Sequence, residues 1–226
     1  MAFSVLQPSY YEQLKARILS QPFHSSEDQA RFLVPLESWE KRKPSPSAQT
    51  QEPALIRNIR GRCFTVVQTD VALLSVDAVL NAANETLLGG GGIDECIHKA
   101  AGYLLLRECA GLQPIQPGQA VATKGYDLPA AYVIHTVAPL YWETSDPLSV
   151  LRACYRASLR VCEELGVASF GLSPLGCGFY GCPVVQGSGV AVQETAAWQG
   201  SLRNFVFAVH SQEELEAYVA AVQALR

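Results

Sequence analysis

From Leu55 onward, short apolar runs alternate with segments in which apolar residues recur at helical spacing. The runs Ala78-Val79-Leu80 and Tyr132-Val133-Ile134 are apolar throughout, which is typical of strands covered on both faces of a sheet. An α/β fold is therefore predicted, with helices on both sides of the sheet. The predicted strands are 56–59, 63–68, 78–81, 132–137, 169–172 and 204–209, and the predicted helices are 94–101, 147–165, 187–197 and 213–225.

A break in this pattern separates the α/β region from the N-terminus. Residues 40–53 are polar and rich in proline, so they cannot form a core and indicate a linker. Before them, a helix is predicted from Tyr10 to about Ser20, with Ser9 as its N-cap and Glu12 completing a capping box. The predicted domain organisation is an N-terminal helical extension with its linker at 1–53 and one domain at 54–226.

Composition is consistent with one folded domain. The chain has 226 residues, of which 49% are hydrophobic and 17% charged, so it can bury a substantial core. Its formal net charge of −4 argues against a nucleic-acid partner, because such binding depends on neutralising phosphates. We find no apolar stretch of membrane-spanning length and no secretory signal at the start. A cytoplasmic protein without membrane contact is expected, and a nuclear or mitochondrial location stays open.

The seven cysteines indicate reduced thiols in a cytosol-like compartment. They form no CxxC pair and no His/Cys cluster of zinc-finger spacing. An odd number is also awkward for a fully disulfide-bonded fold. The cysteines stand at positions 63, 96, 109, 154, 162, 177 and 182.

The most informative segment follows the strand predicted at 78–81. It joins Asn81-Ala82-Ala83-Asn84 to four successive glycines, Gly89 to Gly92, and then to Asp94 and His98. Glycines let a backbone approach an anionic group closely, and the start of the next helix adds free N–H donors, so a ligand carrying phosphate is predicted. The carboxamides, the carboxylate and the imidazole around the glycines are groups that bind hydroxyls and move protons.

Two further loops follow predicted strands. Ligands in open α/β sheets bind beyond the carboxyl ends of the strands, so both loops are candidate ligand contacts. Segment 68–71 contains Asp70, whose carboxylate could accept a hydrogen bond from an exocyclic amine or a backbone donor. Segment 173–183 has spaced glycines with aromatic residues between them. Two glycine-rich loops that face one crevice could hold a diphosphate from both sides.

Four groups of residues match one family in the right order: 81–84 with 89–94, 97–102, 125–129 with 132–137, and 176–181. Through them, the chain from about Leu55 to Arg226 resembles the macrodomain family and, within it, the MacroD-type mono-ADP-ribosylhydrolases and O-acetyl-ADP-ribose deacetylases. The resemblance implies a three-layer α/β/α fold with a central mixed sheet. It also implies a cleft for ADP-ribose and chemistry that needs neither a cofactor nor a metal.

The resemblance further implies roles for individual residues. Asp70 would accept a hydrogen bond from the adenine amino group, and the backbone around Val71 would help to hold the base and the phosphates. Asn84 would bind the distal ribose hydroxyls and Asp94 would position or activate the attacking water, so these two form the implied catalytic pair. Tyr180 would pack beside that ribose. The complete implied ligand-binding set is Asp70, Val71, Asn84, Gly89, Gly90, Gly91, Gly92, Ile93, Asp94, Gly176, Cys177, Gly178, Phe179 and Tyr180.

Several of these residues also have a structural interpretation. Asp70 could cap the following turn, and Asp94 could be the N-cap of the helix through His98. Asn81 fits a role in satisfying local backbone as well as it fits ligand contact. His98 is interpreted as a helix-packing imidazole and is left outside the catalytic set. His135, inside an apolar strand, is interpreted as a core histidine with its hydrogen bonds satisfied.

Three segments depart from the residues that family members often carry: Thr69 stands in place of Gly, Gly176-Cys177 in place of Ser-Thr, and Ala138-Pro139 in place of Gly-Pro. The loss of two hydroxyls at Gly176-Cys177 removes hydrogen bonds that backbone donors could largely replace, so binding is expected to survive. Cys177 is interpreted as a small loop residue rather than a reactive thiol. A related zinc-containing class carries extra Cys and His ligands in the glycine loop, which Gly89 to Gly92 lack, so no metal is predicted.

Two classes of function follow. In the first, the chain is a metal-independent hydrolase that removes mono-ADP-ribose from acidic side chains of proteins and deacetylates O-acetyl-ADP-ribose. In the second, it is a non-catalytic module that binds ADP-ribose or mono-ADP-ribosylated proteins. Asn84 and Asp94 together favour the enzyme, because a binding module needs no carboxylate beside the distal ribose. The expected partners are ADP-ribose, O-acetyl-ADP-ribose and mono-ADP-ribosylated proteins, and a monomer is expected.

Overall fold

The computed structural model describes residues 8–39 and 51–226. Within these ranges the strands are β1 Leu55–Ile59, β2 Arg62–Gln68, β3 Ala78–Ala83, β4 Ala120–Lys124, β5 Tyr132–Val137, β6 Ser169–Leu172 and β7 Asn204–Val209. The α-helices are α1 Pro8–Ser20, α2 Ser26–Leu33, α3 Ile93–Ala101, α4 Tyr103–Gly111, α5 Pro147–Glu164, α6 Val184–Ala197 and α7 Gln212–Gln223. Short 3₁₀ helices lie at Leu36–Ser38 and Val71–Leu73.

The strands form one mixed sheet in the order β1-β2-β7-β6-β3-β5-β4. The five central strands run parallel to one another; they are β2, β7, β6, β3 and β5. The edge strands β1 and β4 are antiparallel to their neighbours. Helices α5, α6 and α7 pack in succession, while α1, α2 and α3 each pack on α4. The three-layer α/β/α architecture and the mixed sheet are therefore confirmed.

The core lies along the central strands. Leu80 in β3 and Ile134 in β5 are paired in register and have no exposed surface. Phe170 in β6 and Phe205 in β7 are also paired in register and are equally buried. These strands are apolar on both faces because helices cover both. Among the described helices, none combines the length and the apolar character needed to cross a bilayer.

The sequence pattern missed three elements. Helix α4 starts at Tyr103, one residue after α3 ends, and Gly102 at φ +81° makes the bend that separates the two. Because a glycine often marks the end of a helix, the sequence pattern predicted no helix directly after Gly102 and missed α4. Strand β4 is an edge strand of small and polar residues and has little strand signal of its own. The third missed element is α2, a helix of only 8 residues.

The prediction of Ser9 as an N-cap is wrong. Helix α1 begins at Pro8, so Ser9 lies inside its first turn. Proline is tolerated in the first helical turn because the N–H that it lacks would have no partner within the helix. Of the predicted linker at 40–53, residues 40–50 lie outside the described residues, and 51–53 have no regular structure. The division into two parts at 53 and 54 stays a prediction.

Two cations, the buried Lys124 and the half-buried Arg107, hold the two N-terminal helices on the α/β region. The Lys124 ammonium donates to the carbonyl oxygens of Phe32 at 2.7 Å and Val34 at 2.8 Å, at the C-terminal end of α2. Arg107 of α4 donates to Leu19 O at 2.9 Å near the end of α1. Carbonyls at a helix C-terminus lack intrahelical partners and carry partial negative charge, so a cation satisfies and stabilises them. Burial lowers the pKa of Lys124, and the nearby Glu108 carboxylate opposes that shift.

Lys124→Met is expected to destabilise the protein by about 2 kcal/mol, because it leaves the Phe32 and Val34 carbonyls without their charged donor. Methionine keeps the apolar stem and removes only the ammonium group. Urea unfolding at neutral pH measures the change, and Lys99→Met, at an exposed position, is the control with the same chemical change. Equal midpoints for the two variants would show that the Lys124 contacts contribute nothing.

Candidate functional site

The parallel arrangement brings three predicted loops to one edge of the sheet. Strands β2, β3 and β6 run in the same direction, so the segments that follow them leave from the same edge. These segments are the turn at Asp70, the first loop (residues 84–92) and the second loop (residues 173–183). This edge is where ligands bind in open α/β sheets.

The side chain of Asn84 closes the first loop. Its Oδ1 accepts hydrogen bonds from the Thr86 backbone N–H at 3.0 Å and the Thr86 hydroxyl at 2.7 Å. Its Nδ2 donates to Gly89 O at 2.7 Å. Gly89 at φ +88° and Gly92 at φ +64° have backbone angles that side chains disfavour. The loop is therefore shaped by one carboxamide and by glycines at the turns that need them.

Gly90 brings the two predicted catalytic side chains together. A Cβ at this position would lie 3.1 Å from Asp94 Oδ2 and 3.3 Å from Asn84 Nδ2. Both side chains thus approach the Gly90 backbone on the side where any other residue would carry its side chain. The adjacency of Asn84 and Asp94, which sequence spacing alone does not determine, is a feature of the folded loop.

Asp94 lies in the first turn of α3 and is only 2% exposed. Its Oδ1 accepts a hydrogen bond from Asn81 Nδ2 at 2.6 Å and lies 3.5 Å from His98 Nε2. Its Oδ2 is buried and has no hydrogen-bond partner among the described residues. Burial raises the pKa of Asp94, while the Asn81 hydrogen bond and the His98 imidazole act in the opposite direction. The N-cap of α3 is Gly92, so the interpretation of Asp94 as that N-cap is wrong.

A line of hydrogen bonds from Asn81 through His135 to Thr123 holds the Asp94 carboxylate in place. Asn81 lies opposite His135 in the β3–β5 register, and its Nδ2 is 3.0 Å from His135 Nδ1. His135 Nε2 is 2.8 Å from the Thr123 hydroxyl of β4. Burial lowers the pKa of His135 to about 3, so its ring is neutral. The expected core role of His135 agrees with these contacts, and Asn81 is a positioning residue that the predicted site did not contain.

His98 occupies the α3 face next to Asp94. Its Nε2 is buried and, apart from the 3.5 Å approach to Asp94 Oδ1, has no hydrogen-bond partner in the described ranges. Burial lowers the pKa of His98, and the Asp94 carboxylate partly opposes that shift. The spacing of four residues in a helix did indicate this neighbourhood. The structure adds that the imidazole faces the carboxylate rather than only packing the helix.

Asp70 acts as a cap. Its Oδ1 accepts a hydrogen bond from Ala72 N at 2.9 Å and so caps the 3₁₀ helix Val71–Leu73. Val71 has no exposed surface. Thr69 donates its backbone N–H to Val209 O at 3.0 Å, which continues the β2–β7 pairing by one residue. The Cys96 thiol also forms a hydrogen bond with the Asp70 side chain. The adenine contact assigned to Asp70 by resemblance stays a prediction.

The second loop is folded by its own backbone. Gly176, at φ +76°, accepts a hydrogen bond on its carbonyl from Cys182 N at 2.9 Å. Tyr180 is half-buried, and its carbonyl accepts from Tyr141 N at 2.9 Å. Burial raises the pKa of Tyr180, and the carboxylates of Glu85 and Asp94 raise it further. The Tyr180 hydroxyl is thus electrostatically coupled to groups of the first loop and α3, so the two loops share one region.

Ala138 and Gly176 lie close to each other. The Cβ of Ala138 lies 3.3 Å from the place where a Cβ on Gly176 would be. An alanine at 138 therefore fits because residue 176 has no side chain. The positive φ of Gly176 also makes glycine the favourable residue there.

A cavity of about 430 Å³ adjoins the first loop and the C-terminal half of α3. None of its lining residues belongs to the second loop, so it is distinct from the crevice that the sequence predicts between the two loops. The His24 ring stacks on Tyr103 with ring centroids 3.9 Å apart, so the N-terminal extension supports one cavity wall. The lining residues are Leu88, Gly89, Gly90, Glu95, His98, Lys99, Gly102, Tyr103 and Leu106.

One group of side chains near the site has metal-ligand chemistry. Donor atoms of His98, Cys109 and His135 lie within 4.8 Å of one another. However, both ring nitrogens of His135 already have hydrogen-bonding neighbours, and burial raises the pKa of the Cys109 thiol. A metal would have to displace the Thr123 contact and deprotonate a buried thiol, so these residues fit a hydrogen-bonded core better than a metal centre.

Comparison with known proteins identifies the fold family. The Macro domain profile matches residues 80–191. Macro domain-containing protein SCO6450 of Streptomyces coelicolor is 38% identical over 163 residues, which cover 70% of this chain and 96% of that protein. The chain belongs to the macrodomain family.

Other macrodomain relatives carry more specific descriptions. ADP-ribose glycohydrolase MACROD2 of Homo sapiens is 40% identical over 151 residues, which cover 66% of this chain and 36% of that protein. A Trypanosoma brucei macrodomain in complex with ADP has a TM-score of 0.81 and 34% identity, with 94% of this chain and 96% of that chain covered. The same macrodomain in complex with ADP-ribose has a TM-score of 0.80 and 35% identity, covering 92% and 95% of the two chains.

We expect Asp94→Asn to stabilise this macrodomain at neutral pH by about 1–3 kcal/mol, because the neutral amide avoids the cost of burying a charged carboxylate. The folded state raises the pKa of Asp94, so the native protein binds its proton more tightly than the unfolded chain does. The contribution of Asp94 to the free energy of unfolding is therefore most favourable at low pH, where the group is protonated. It is lost as the pH rises through the pKa of Asp94 in the folded protein.

Urea unfolding of the parent and Asp94→Asn proteins across the acid range measures this effect. The difference should shrink as the pH falls towards about 4, near the pKa of an unfolded aspartate. The control is Glu95→Gln, which neutralises the neighbouring exposed carboxylate and should change stability little. A less stable Asp94→Asn protein at neutral pH would contradict the expectation.

Proposed function

We propose that this macrodomain is a metal-independent ADP-ribosyl ester hydrolase. It removes mono-ADP-ribose from acidic side chains of proteins and deacetylates O-acetyl-ADP-ribose. The observation that carries the proposal is that Asn84 Nδ2 and Asp94 Oδ2 both lie close to Gly90. This carboxylate oxygen is buried and has no hydrogen-bond partner among the described residues. Related proteins described as an ADP-ribose glycohydrolase and as a macrodomain bound to ADP-ribose support the substrate class.

The groups of Asn84 suit the distal ribose. An amide nitrogen has two N–H donors, and one of them already serves Gly89 O. The second can donate to a ribose hydroxyl without breaking the loop. Oδ1 is occupied by Thr86, which fixes the amide orientation so that the donor side faces Gly90. Asn84 therefore both shapes the first loop and offers one donor to the sugar.

Asp94 supplies the proton-accepting group. Burial raises its pKa, which makes the ionised carboxylate a stronger base than an exposed aspartate. Oδ1 is held by Asn81, and Oδ2 is left to orient a water molecule or accept its proton. Water hydrolyses the ester bond, and the products are ADP-ribose and a carboxylic acid. A phosphate oxygen of the substrate is a second proton acceptor in this proposal.

The two glycine-rich loops hold the diphosphate. Gly89 to Gly92 and Gly176 to Tyr180 lie at the same edge of the sheet and provide backbone close to a ligand. The N-terminus of α3 adds its positive dipole end behind the first loop. Fixing the diphosphate on both sides holds the ester near Asp94, and positioning of this kind contributes strongly to rate.

One observation favours a non-catalytic binding module as the alternative. Asp94 is only 2% exposed, so its carboxylate lies behind the Gly90 backbone rather than in open solvent. In that case Asp94 would serve to shape the first loop, and ADP-ribose or mono-ADP-ribosylated proteins would bind without turnover. In both versions the partners are ADP-ribosyl compounds, and the monomeric state and the cytoplasmic location remain predictions.

In a direct test, a protein mono-ADP-ribosylated on glutamate or aspartate is incubated with this chain, with and without a chelator. Release of ADP-ribose should persist in the chelator and should fall by about 10²–10⁴-fold in Asp94→Ala, the contribution usual for general acid–base catalysis. Calorimetry with ADP-ribose should show that the variant keeps most of its affinity. Binding without release in the parent protein would establish the binding module, and release that stops in the chelator would contradict metal independence.

The pH profile of release tests the role of Asn81. Its N–H bond to Asp94 stabilises the carboxylate, so Asn81→Ala should raise the pKa of Asp94. Because the carboxylate must be ionised to accept a proton, the acid limb of the rate profile should move to higher pH. Thr123→Val, two contacts further along the same line of hydrogen bonds, is the matched control and should move the limb less. A lower rate at every pH with an unmoved limb would mean that Asn81 acts only on structure.

A further inference from the structure

The second loop contains two thiols that face each other. Cys177 and Cys182 are both free, and each is the hydrogen-bonding partner of the other. Both sulfurs lie against Gly187 of α6: a Cβ there would be 2.5 Å from Cys177 Sγ and 3.6 Å from Cys182 Sγ. The thiols can meet because residue 187 has no side chain.

The backbone already brings these two cysteines together. Cys182 N donates to Gly176 O at 2.9 Å, and Gly181 N donates to Gly178 O at 3.0 Å, so the segment between the cysteines doubles back on itself. A disulfide needs Cβ atoms about 3.5–4.5 Å apart, which only a closed turn of this kind provides between residues so near in sequence. Bond formation therefore needs a local movement and not an unfolded loop.

The pair also has an asymmetry that favours reaction. The hydrogen bond between the thiols lowers the pKa of Cys182 and raises that of Cys177, so Cys182 is the member of the pair that loses its proton more readily. Cys182 comes just before Pro183, the N-cap of α6, where the helix dipole favours a negative charge. Burial acts to raise the pKa of both thiols, and Cys182 is only 6% exposed, but in this pair the hydrogen bond between the thiols is the larger cause. At Cys109 and Cys162 burial is the largest cause and raises the pKa, which is typical of inert cysteines.

We propose that Cys177 and Cys182 form a reactive dithiol that a hydroperoxide oxidises to an intramolecular disulfide across the second loop. The Cys182 thiolate attacks the peroxide oxygen, which gives a sulfenic acid and releases water or an alcohol. Cys177 then attacks that sulfur, the S–O bond breaks and a second water leaves. Two thiols lose two hydrogen atoms in total, and the peroxide is reduced.

The disulfide encloses Gly178, Phe179, Tyr180 and Gly181 in a small covalent ring. It draws the sulfurs from hydrogen-bonding distance to about 2.05 Å and so shifts the Cys177 backbone. Because that backbone belongs to the diphosphate loop, oxidation lowers release of ADP-ribose; this consequence rests on the proposed function. Displacements of about 1 Å at a positioning group can reduce rates strongly, and we expect a loss of about tenfold or more.

Peptide mass measurement tests the dithiol without reference to activity. The reduced full-length protein is treated with hydrogen peroxide, remaining thiols are alkylated, and the chain is cleaved after glutamate. Cleavage after Glu164 and Glu194 releases residues 165–194, in which Cys177 and Cys182 are the two cysteines. This peptide should lack alkylation and two hydrogen atoms in the parent protein. Cys63→Ser, which removes another half-buried thiol, should behave as the parent does, while Cys182→Ser should not form the bond.

Release assays on the same samples test the consequence. Oxidised parent protein should lose activity and regain it in dithiothreitol, and Cys182→Ser should respond to peroxide far less than the parent relative to its own untreated rate. Peroxide that leaves the peptide fully alkylated, or that links two chains instead, overturns the dithiol. A disulfide that leaves release unchanged overturns its effect on the site. Reduced protein without any release refutes the proposed function alone, because the mass measurement still decides whether the disulfide forms.

Discussion

The burial of one carboxylate is the constraint on which the candidate site depends. Asp94 is ionisable yet almost inaccessible, and a buried charge is tolerated only when other polar groups surround it. Here the support comes through Asn81, whose two amide N–H groups point to Asp94 and to His135. The line then continues to Thr123, so it joins three neighbouring strands to the first turn of α3. The contacts of His135 with Asn81 and Thr123 depend on the register of β3, β5 and β4, so a shifted register would break this line.

The same constraint explains the composition of the first loop. Asp94 and Asn84 can approach each other because Gly90 lies between them without a side chain. The turns on either side need positive φ angles, which Gly89 and Gly92 adopt at little cost. Glycine normally loosens a chain, but Asn84 and Thr86 close this loop with three hydrogen bonds. The result is a loop with exposed backbone and a defined shape, which is the combination that a phosphate-binding site requires.

Parts of the chain outside the first loop are also tied to the site region. Ala138 packs against Gly176 of the second loop, where a side chain on residue 176 would crowd its Cβ. Farther out, the N-terminal helices are held by cations at their C-terminal carbonyls, and His24 supports Tyr103 beside the first-loop cavity. The extension thus contributes to the surface next to the first loop and is not simply attached to the back of the sheet.

Much of the fold was readable from local pattern. Six strands were predicted: five are short, mainly apolar runs, and β1 has isoleucines on either side of Arg57 and Asn58. Helices α3, α5, α6 and α7 were predicted because their apolar residues recur at helical spacing. The elements that were missed have weak local signals: Gly102 separates α4 from α3 and normally marks a helix end, and β4 is a short edge strand with two alanines. The N-cap assigned to Ser9 failed because Pro8 begins the helix earlier.

The sequence by itself determined the α/β class, the family resemblance and the loops that carry Asn84, Asp94 and the glycines, because these depend on residues close together in the chain. Only the tertiary structure decided that Asn81 serves Asp94, that His98 faces the same carboxylate and that Cys177 meets Cys182 against Gly187. Those relations arise from strand register, helix docking and loop closure, which bring together residues whose spacing along the chain carries no trace of the contact. For the same reason the raised pKa of Asp94 is a property of the folded protein: it comes from burial, and burial exists only once the sheet and α3 have packed.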